Sequence, residues 1–202
     1  MKRRGDYPLT YLGGLTAREF ISEYWQKKPL FVKGAFPQFK AALSIEELAG
    51  LALEEEIPSR LILEEGGSKP WELRQGPFTD EDFAQFPNER WMLMLNDLDK
   101  YIPDLAPILE PFRFIPRWRF DDLQASIAVD GGNVGPHWDD YDVFLLQGEG
   151  RKRWQISYAP TTDEDFIPGV DLRLIENFKV DEEWVVEPGD LLYLPPKIGH
   201  FG

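Results

Sequence analysis

The sequence predicts a mixed α/β chain that is mainly β, in which an α/β segment leads into a double-sheet barrel. Three observations predict it. From residue 113 onward, short apolar runs recur between glycine and proline turns, the pattern of antiparallel sheets. Before that point, helical apolar faces opened by capping boxes alternate with short strands. With 202 residues and 43% hydrophobic content, the chain can bury a full core, so 1–202 reads as a single domain, with an α/β part over 1–112 and a barrel core over 113–202.

Taken in order, Thr16-Ala17-Arg18-Glu19 is a capping box opening a helix over 16–27, with Phe20, Ile21, Tyr24 and Trp25 on one face. Lys28-Pro29 ends it, and Leu30-Phe31-Val32 follows as a strand. A second box, Ser44-Ile45-Glu46-Glu47, starts a helix that turns Leu48, Leu51 and Ala52 inward until Pro58. Arg60–Leu63 and Trp71–Arg74 pair across a Gly66-Gly67 turn, and a short helix covers 80–86. Arg90–Leu95 reads as a buried strand in which Met92 and Met94 fill the core. A mostly helical stretch runs from Asp97 to Leu109, interrupted by Pro103 and Pro107 at first-turn positions, and 112–118 is an extended linker.

The second half reads as strands. Asp121–Val129 leads through Asp130-Gly131-Gly132-Asn133 to the run Gly135–Trp154, which is expected to form two antiparallel strands joined at Gly148-Glu149-Gly150. A loop over 163–177 holds at most one short strand, at 172–174. Trp184–Glu187 and Leu191–Leu194 are strands flanking Pro188-Gly189-Asp190. The architecture that fits is a double-stranded β-helix of the jelly-roll or cupin kind.

Composition narrows the chemistry. The formal charge is −14, from 36 acidic against 22 basic residues, which favours a basic protein or peptide over direct nucleic-acid contact, and serves solubility equally well. There is no cysteine, hence no disulfide framework and no thiolate metal site. Residues 1–6 are basic, but no apolar signal segment follows. No run approaches the roughly 18 apolar residues of a membrane span, so a cytoplasmic protein without membrane contact is expected.

The chain has two histidines, His137 and His200. In extended chain residues two apart share a face, so His137 and Asp139 present an imidazole and a carboxylate side by side. With His200 they make a 2-His-1-carboxylate set, the arrangement that leaves one face of a non-haem iron(II) open. Such a spacing arises by chance in large proteins, and carries more weight where only two histidines exist.

The run Asp121–Ile156, the later Glu187–Pro196 with His200, and the upstream Tyr24–Leu30 and Gly76-Pro77-Phe78 resemble the JmjC-type 2-oxoglutarate oxygenases, in their ribosomal oxygenase branch. Pro136-His137-Trp138-Asp139-Asp140-Tyr141-Asp142-Val143-Phe144 with Gln147-Gly148 is more similar to the bacterial members, which hydroxylate an arginine of a large-subunit ribosomal protein, than to the human ones, which act on histidine. The resemblance implies Fe(II) held by His137, Asp139 and His200, with 2-oxoglutarate and O2 as co-reactants. It implies Lys152 against the distal carboxylate of 2-oxoglutarate, and burial of a dicarboxylate independently calls for a fixed cation. Ser126 is a candidate hydrogen-bond donor to the same cosubstrate, or a serine bonded to backbone.

Arg151 and Arg153 should face away from Lys152 as a solvated edge. Asp130, Asp140 and Asp142 are candidates for an acidic wall toward an arginine target, with turn or surface use the plainer reading of each. The resemblance further implies a homodimer in the full-length protein, and a last barrel strand, a dimerisation region and a winged-helix-like domain beyond Gly202. Within the same resemblance, hydroxylation or demethylation of another basic protein is the alternative, and two other classes stay open. One is a cupin-like metal-binding protein without oxygen chemistry, for which Lys152 would have no purpose. The other is an acidic interaction module whose histidines are incidental.

Overall fold

The computed structural model describes residues 7–64, 70–160, 162 and 165–202; the basic start at 1–6 and the expected Gly66-Gly67 turn lie outside the described residues. The fold is mainly β with few helices, as the sequence predicts. Two units emerge, and they do not follow chain order. The first gathers described residues of Met1–Ala41, Gly135–Ile167 and Leu174–Gly202; the second is Ala42–Val134 with Pro168–Arg173.

In the second unit, β2 (Ser59–Glu64), β3 (Trp71–Gln75), β4 (Trp91–Leu95) and β5 (Ala125–Ala128) form one antiparallel sheet in the order β3-β2-β4-β5. Leu61, Leu93 and Ile127 stand in register across it and bury one face. Against them packs α2 (Ile45–Leu51), whose capping box is present as predicted and whose Leu48, with the following Ala52, is buried. The helix α3 (Asp80–Gln85) has a box of its own, Thr79 with Asp82. Met92 and Met94 are buried in β4.

The prolines of the next stretch act differently from expectation. After α4 (Leu98–Tyr101) the chain winds as a 3-10 helix over Pro103–Phe112 with Pro107 and Pro111 inside it, and a further 3-10 turn spans Arg117–Arg119. Thus the supposed linker at 112–118 is partly helical. Proline lacks the N–H, and its ring clashes with the carbonyl of residue i−4 in an α-helix, so a stretch with closely spaced prolines winds as tight i→i+3 turns instead.

The first unit is a two-sheet sandwich. One sheet has the order β1-β9-β6, from Leu30–Val32, Leu191–Leu194 and Val143–Leu146; the other has the order β10-β7-β8, from Gly199–Phe201, Lys152–Ser157 and Glu182–Val186. The two share a core of Trp154, Ile156, Val186, Leu192 and Leu194. The alternate residues of β9 face the other way: Tyr193 meets Phe20 of α1 (Ala17–Glu23) edge-on at 4.9 Å, with Phe144 and Trp25 around it. Both Phe20 and Tyr193 are 0% exposed, which explains why β9 is apolar on both faces. Ile21, expected on the same helical face, is instead exposed.

The Gly135–Trp154 run is not a hairpin. Its strands β6 and β7 enter different sheets, β6 beside β9 and β7 between β10 and β8. His137 and Asp139 precede β6 rather than lying in it, and among the described residues of the 163–177 loop there is a single bridge, Phe166 to Ile175, with no strand at 172–174.

Candidate metal centre

One isolated bridge builds the centre. The His137 N–H donates to the His200 carbonyl at 3.0 Å and the His200 N–H to the His137 carbonyl at 2.7 Å, so the two histidines stand directly opposite each other. Their ring centroids are 4.2 Å apart. Two residues on from His137, the Asp139 carboxylate reaches 3.5 Å from His200 Nε2, and the ligand atoms of all three lie within 4.8 Å of one another.

The donor set suits a metal. His137 Nδ1 lies 2.9 Å from the Gly135 carbonyl and His200 Nδ1 3.0 Å from the Ile198 carbonyl. Carbonyls only accept, so each Nδ1 carries the proton and each Nε2 keeps a free lone pair, the tautomer a metal ligand needs. Gly135 takes φ +78°, a left-handed conformation that glycine adopts freely, and this turn delivers its carbonyl to His137. Burial, and then the neighbouring His137, push His200 down to about 3, against the smaller opposing effect of its bond to Ile198. It is therefore a neutral imidazole at ordinary pH, and its approach to Asp139 is not an ion pair.

Lys152 is linked to this cluster through β7. His200 is in register with Ile156, and directly paired residues share a sheet face, so Lys152, Trp154, Ile156 and His200 all project inward. The Lys152 ammonium is 5.4 Å from the Trp154 ring centre, and that ring is 5.8 Å from the His200 ring. Burial pulls Lys152 down to about 8. Arg151 and Arg153 are exposed, with Arg153 3.9 Å from Glu183, as the alternation predicts.

Ser126 lies on β5 of the second unit, exposed and in register with Met94. Two of the three candidate acids have partners for their carboxylates: Asp140 pairs with Lys197, and Asp142 accepts from the Tyr193 hydroxyl and from Gln26 Nε2 at 3.1 Å. At Asp130 the backbone carbonyl accepts from the Arg90 N–H. Two supporting residues escaped the sequence reading. Asp190, buried, accepts from the Gly34 N–H at 2.6 Å and the Glu187 N–H at 2.9 Å, tying the β9 turn to the end of β1; its place after Pro-Gly was the available signal. Lys197 was the other, and nothing in its surroundings marked it.

A protein-family model described as the JmjC domain matches residues 107–202. The chain is 39% identical over 199 residues to the ribosomal protein uL16 3-hydroxylase of Escherichia coli K12, covering 98% of this chain and 50% of that protein. It is 34% identical to a probable ribosomal oxygenase of Haemophilus influenzae, covering 93% of this chain and 46% of that protein. The structure of the E. coli ribosomal oxygenase YcfD in complex with cobalt and 2-oxoglutarate matches with a TM-score of 0.80 at 36% identity, over 97% of this chain and 49% of that one. The chain thus spans about half the length of the curated relatives it matches. With a mainly β fold, a His-Asp-His cluster and this degree of likeness, the chain belongs to the JmjC family, alongside the ribosomal oxygenases.

Proposed function

We propose that the chain is the catalytic domain of an iron(II)- and 2-oxoglutarate-dependent protein hydroxylase that acts on an arginine of a large-subunit ribosomal protein. The carrying observation is the inward-facing set His137, Asp139 and His200 with Lys152 on the same β7–β10 face, in a chain 39% identical to a ribosomal protein hydroxylase. In this reading His137 and His200, through Nε2, and the Asp139 carboxylate would hold Fe(II), the donor set of the non-haem iron oxygenases. When bound, the iron supplies oxidation of an unactivated C–H coupled to decarboxylation of the cosubstrate. The chain's own residues orient and exclude water. The Gly135 and Ile198 carbonyls fix the imidazole tautomers, and Lys152 holds the far carboxylate of 2-oxoglutarate as a charge-assisted hydrogen-bond donor. The partner in this reading is a basic protein segment rather than nucleic acid.

The test is mass spectrometry of arginine-containing ribosomal-protein peptides after incubation with the protein, Fe(II), 2-oxoglutarate and air. A one-oxygen gain on arginine, lost in Asp139→Ala, is expected. Succinate formation without any arginine product would move the reaction to another substrate, and absence of succinate would remove the oxygenase.

A further inference from the structure

We infer that Lys197 is a positioning residue for Asp139, clasping the segment that carries this carboxylate to the turn that carries His200. The inference rests on the metal-centre reading above. Lys197 lies in the turn between β9 and β10, three residues before His200, and its backbone has φ +67°. That left-handed conformation is open to glycine and disfavoured for residues with a Cβ. The backbone therefore asks for glycine, and what the lysine side chain does has to account for its presence.

It holds three consecutive residues at once. The Lys197 N–H donates to the Asp139 carbonyl at 2.8 Å. The ammonium sits 3.5 Å from the centre of the Trp138 ring and forms an ion pair with Asp140. Trp138 and Asp140 thus meet at one ammonium, and the residue between them is held by its carbonyl. Fixing both neighbours and the backbone of Asp139 restricts its carboxylate, whose oxygen is 3.5 Å from His200 Nε2.

The ion pair would carry little alone. Lys197 and Asp140 are both more than half exposed, and such pairs contribute weakly in water. The indole face supplies the other half of the clasp: Trp138 is half-buried and packs on Phe166 at 6.0 Å, so the cation rests on a ring that is itself held in place. Through Lys197 the two ligand-bearing segments, 137–140 and 197–200, become one unit in addition to the His137–His200 bridge. The clasp acts on the aspartate arm of the triad, which lies two residues beyond that bridge.

Three substitutions test this, each read by Co(II) titration in visible absorption and by thermal unfolding of the metal-free protein. Lys197→Gly keeps the N–H donor and relieves the backbone while removing the ammonium. Expected is an unfolding midpoint equal to or above that of the native protein together with a loss of Co(II) affinity of about 10-fold or more, the size typical of residues that orient ligands. Lys197→Arg, which keeps a cation over the indole, restores most of the affinity, and Lys197→Met does not. Native affinity in Lys197→Gly would overturn the clasp. So would an affinity loss that tracks a loss of folding stability and is not rescued by arginine, since that is what a purely structural lysine gives. Failure of the metal-centre reading looks different: native protein and His200→Ala would then titrate alike.

Discussion

At the residue scale, the unusual group is an amine. Lys152 is held down to about 8 by burial, and Arg would remain fully charged in the same place. A dicarboxylate bound against it favours the ammonium and raises its pKa. Binding near pH 8, where Lys152 is about half protonated when free, must then take up a fraction of a proton from solvent; at pH 6.5, where it is already charged, uptake vanishes. Calorimetry of 2-oxoglutarate binding in buffers of different ionisation enthalpy measures this directly, and Lys152→Arg should abolish the uptake while keeping binding. Equal apparent enthalpies in all buffers at pH 8 would show that Lys152 does not meet the ligand. The His-Asp-His cluster was legible because the chain offers just two histidines, and the structure brings both together with Asp139. Their supports were not. The Gly135 and Ile198 carbonyls belong to the backbone and have no letter in the sequence, and the left-handed turn at Lys197 shows only in φ.

At the scale of elements, the centre is held in place by the seam between α1 and β9. The Tyr193 hydroxyl accepts from the Gln26 N–H at 2.9 Å and donates to Asp142, which also accepts from Gln26 Nε2. Burial first, and then the Asp142 carboxylate, raise the Tyr193 phenol above its usual range, so it stays a donor throughout. This ties the end of α1 to the segment that leads from Asp139 into β6. Tyr193→Phe keeps the ring in its aromatic cage but removes both bonds; with Gln26 exposed and Asp142 half-buried, the loss is the net worth of the hydrogen bonds, about 0.5–1.5 kcal/mol each. Urea denaturation should show that loss with an unchanged m-value; stability equal to native would mean that water replaces the hydroxyl. Local signals were read well here: both predicted capping boxes are present, because a box is closed by side chains three residues apart. The supposed hairpin failed for the complementary reason. Gly148-Glu149-Gly150 marks a turn, but β6 pairs with β9, and β7 with β8 and β10, all of them more than twenty residues further on, and a turn carries no information about them.

At the scale of the whole molecule, charge is the remaining property. A net charge of −14 at pH 7 on 202 residues attracts a basic segment before any contact forms, and in the proposed reaction that segment carries the arginine to be oxidised. Attraction of this kind acts over a Debye length, about 8 Å at physiological ionic strength and about 3 Å at 1 M. It speeds encounter and leaves chemistry within the bound complex untouched. Raising salt from about 0.05 to 0.5 M should therefore lower kcat/KM for a basic ribosomal-protein peptide several-fold with kcat nearly constant, because screening over that range removes most of the long-range term. A neutral peptide analogue retaining the target arginine should respond less. If kcat/KM for the basic peptide proves independent of salt, the acidity serves solubility alone, and recognition must lie in short-range contacts around the target side chain.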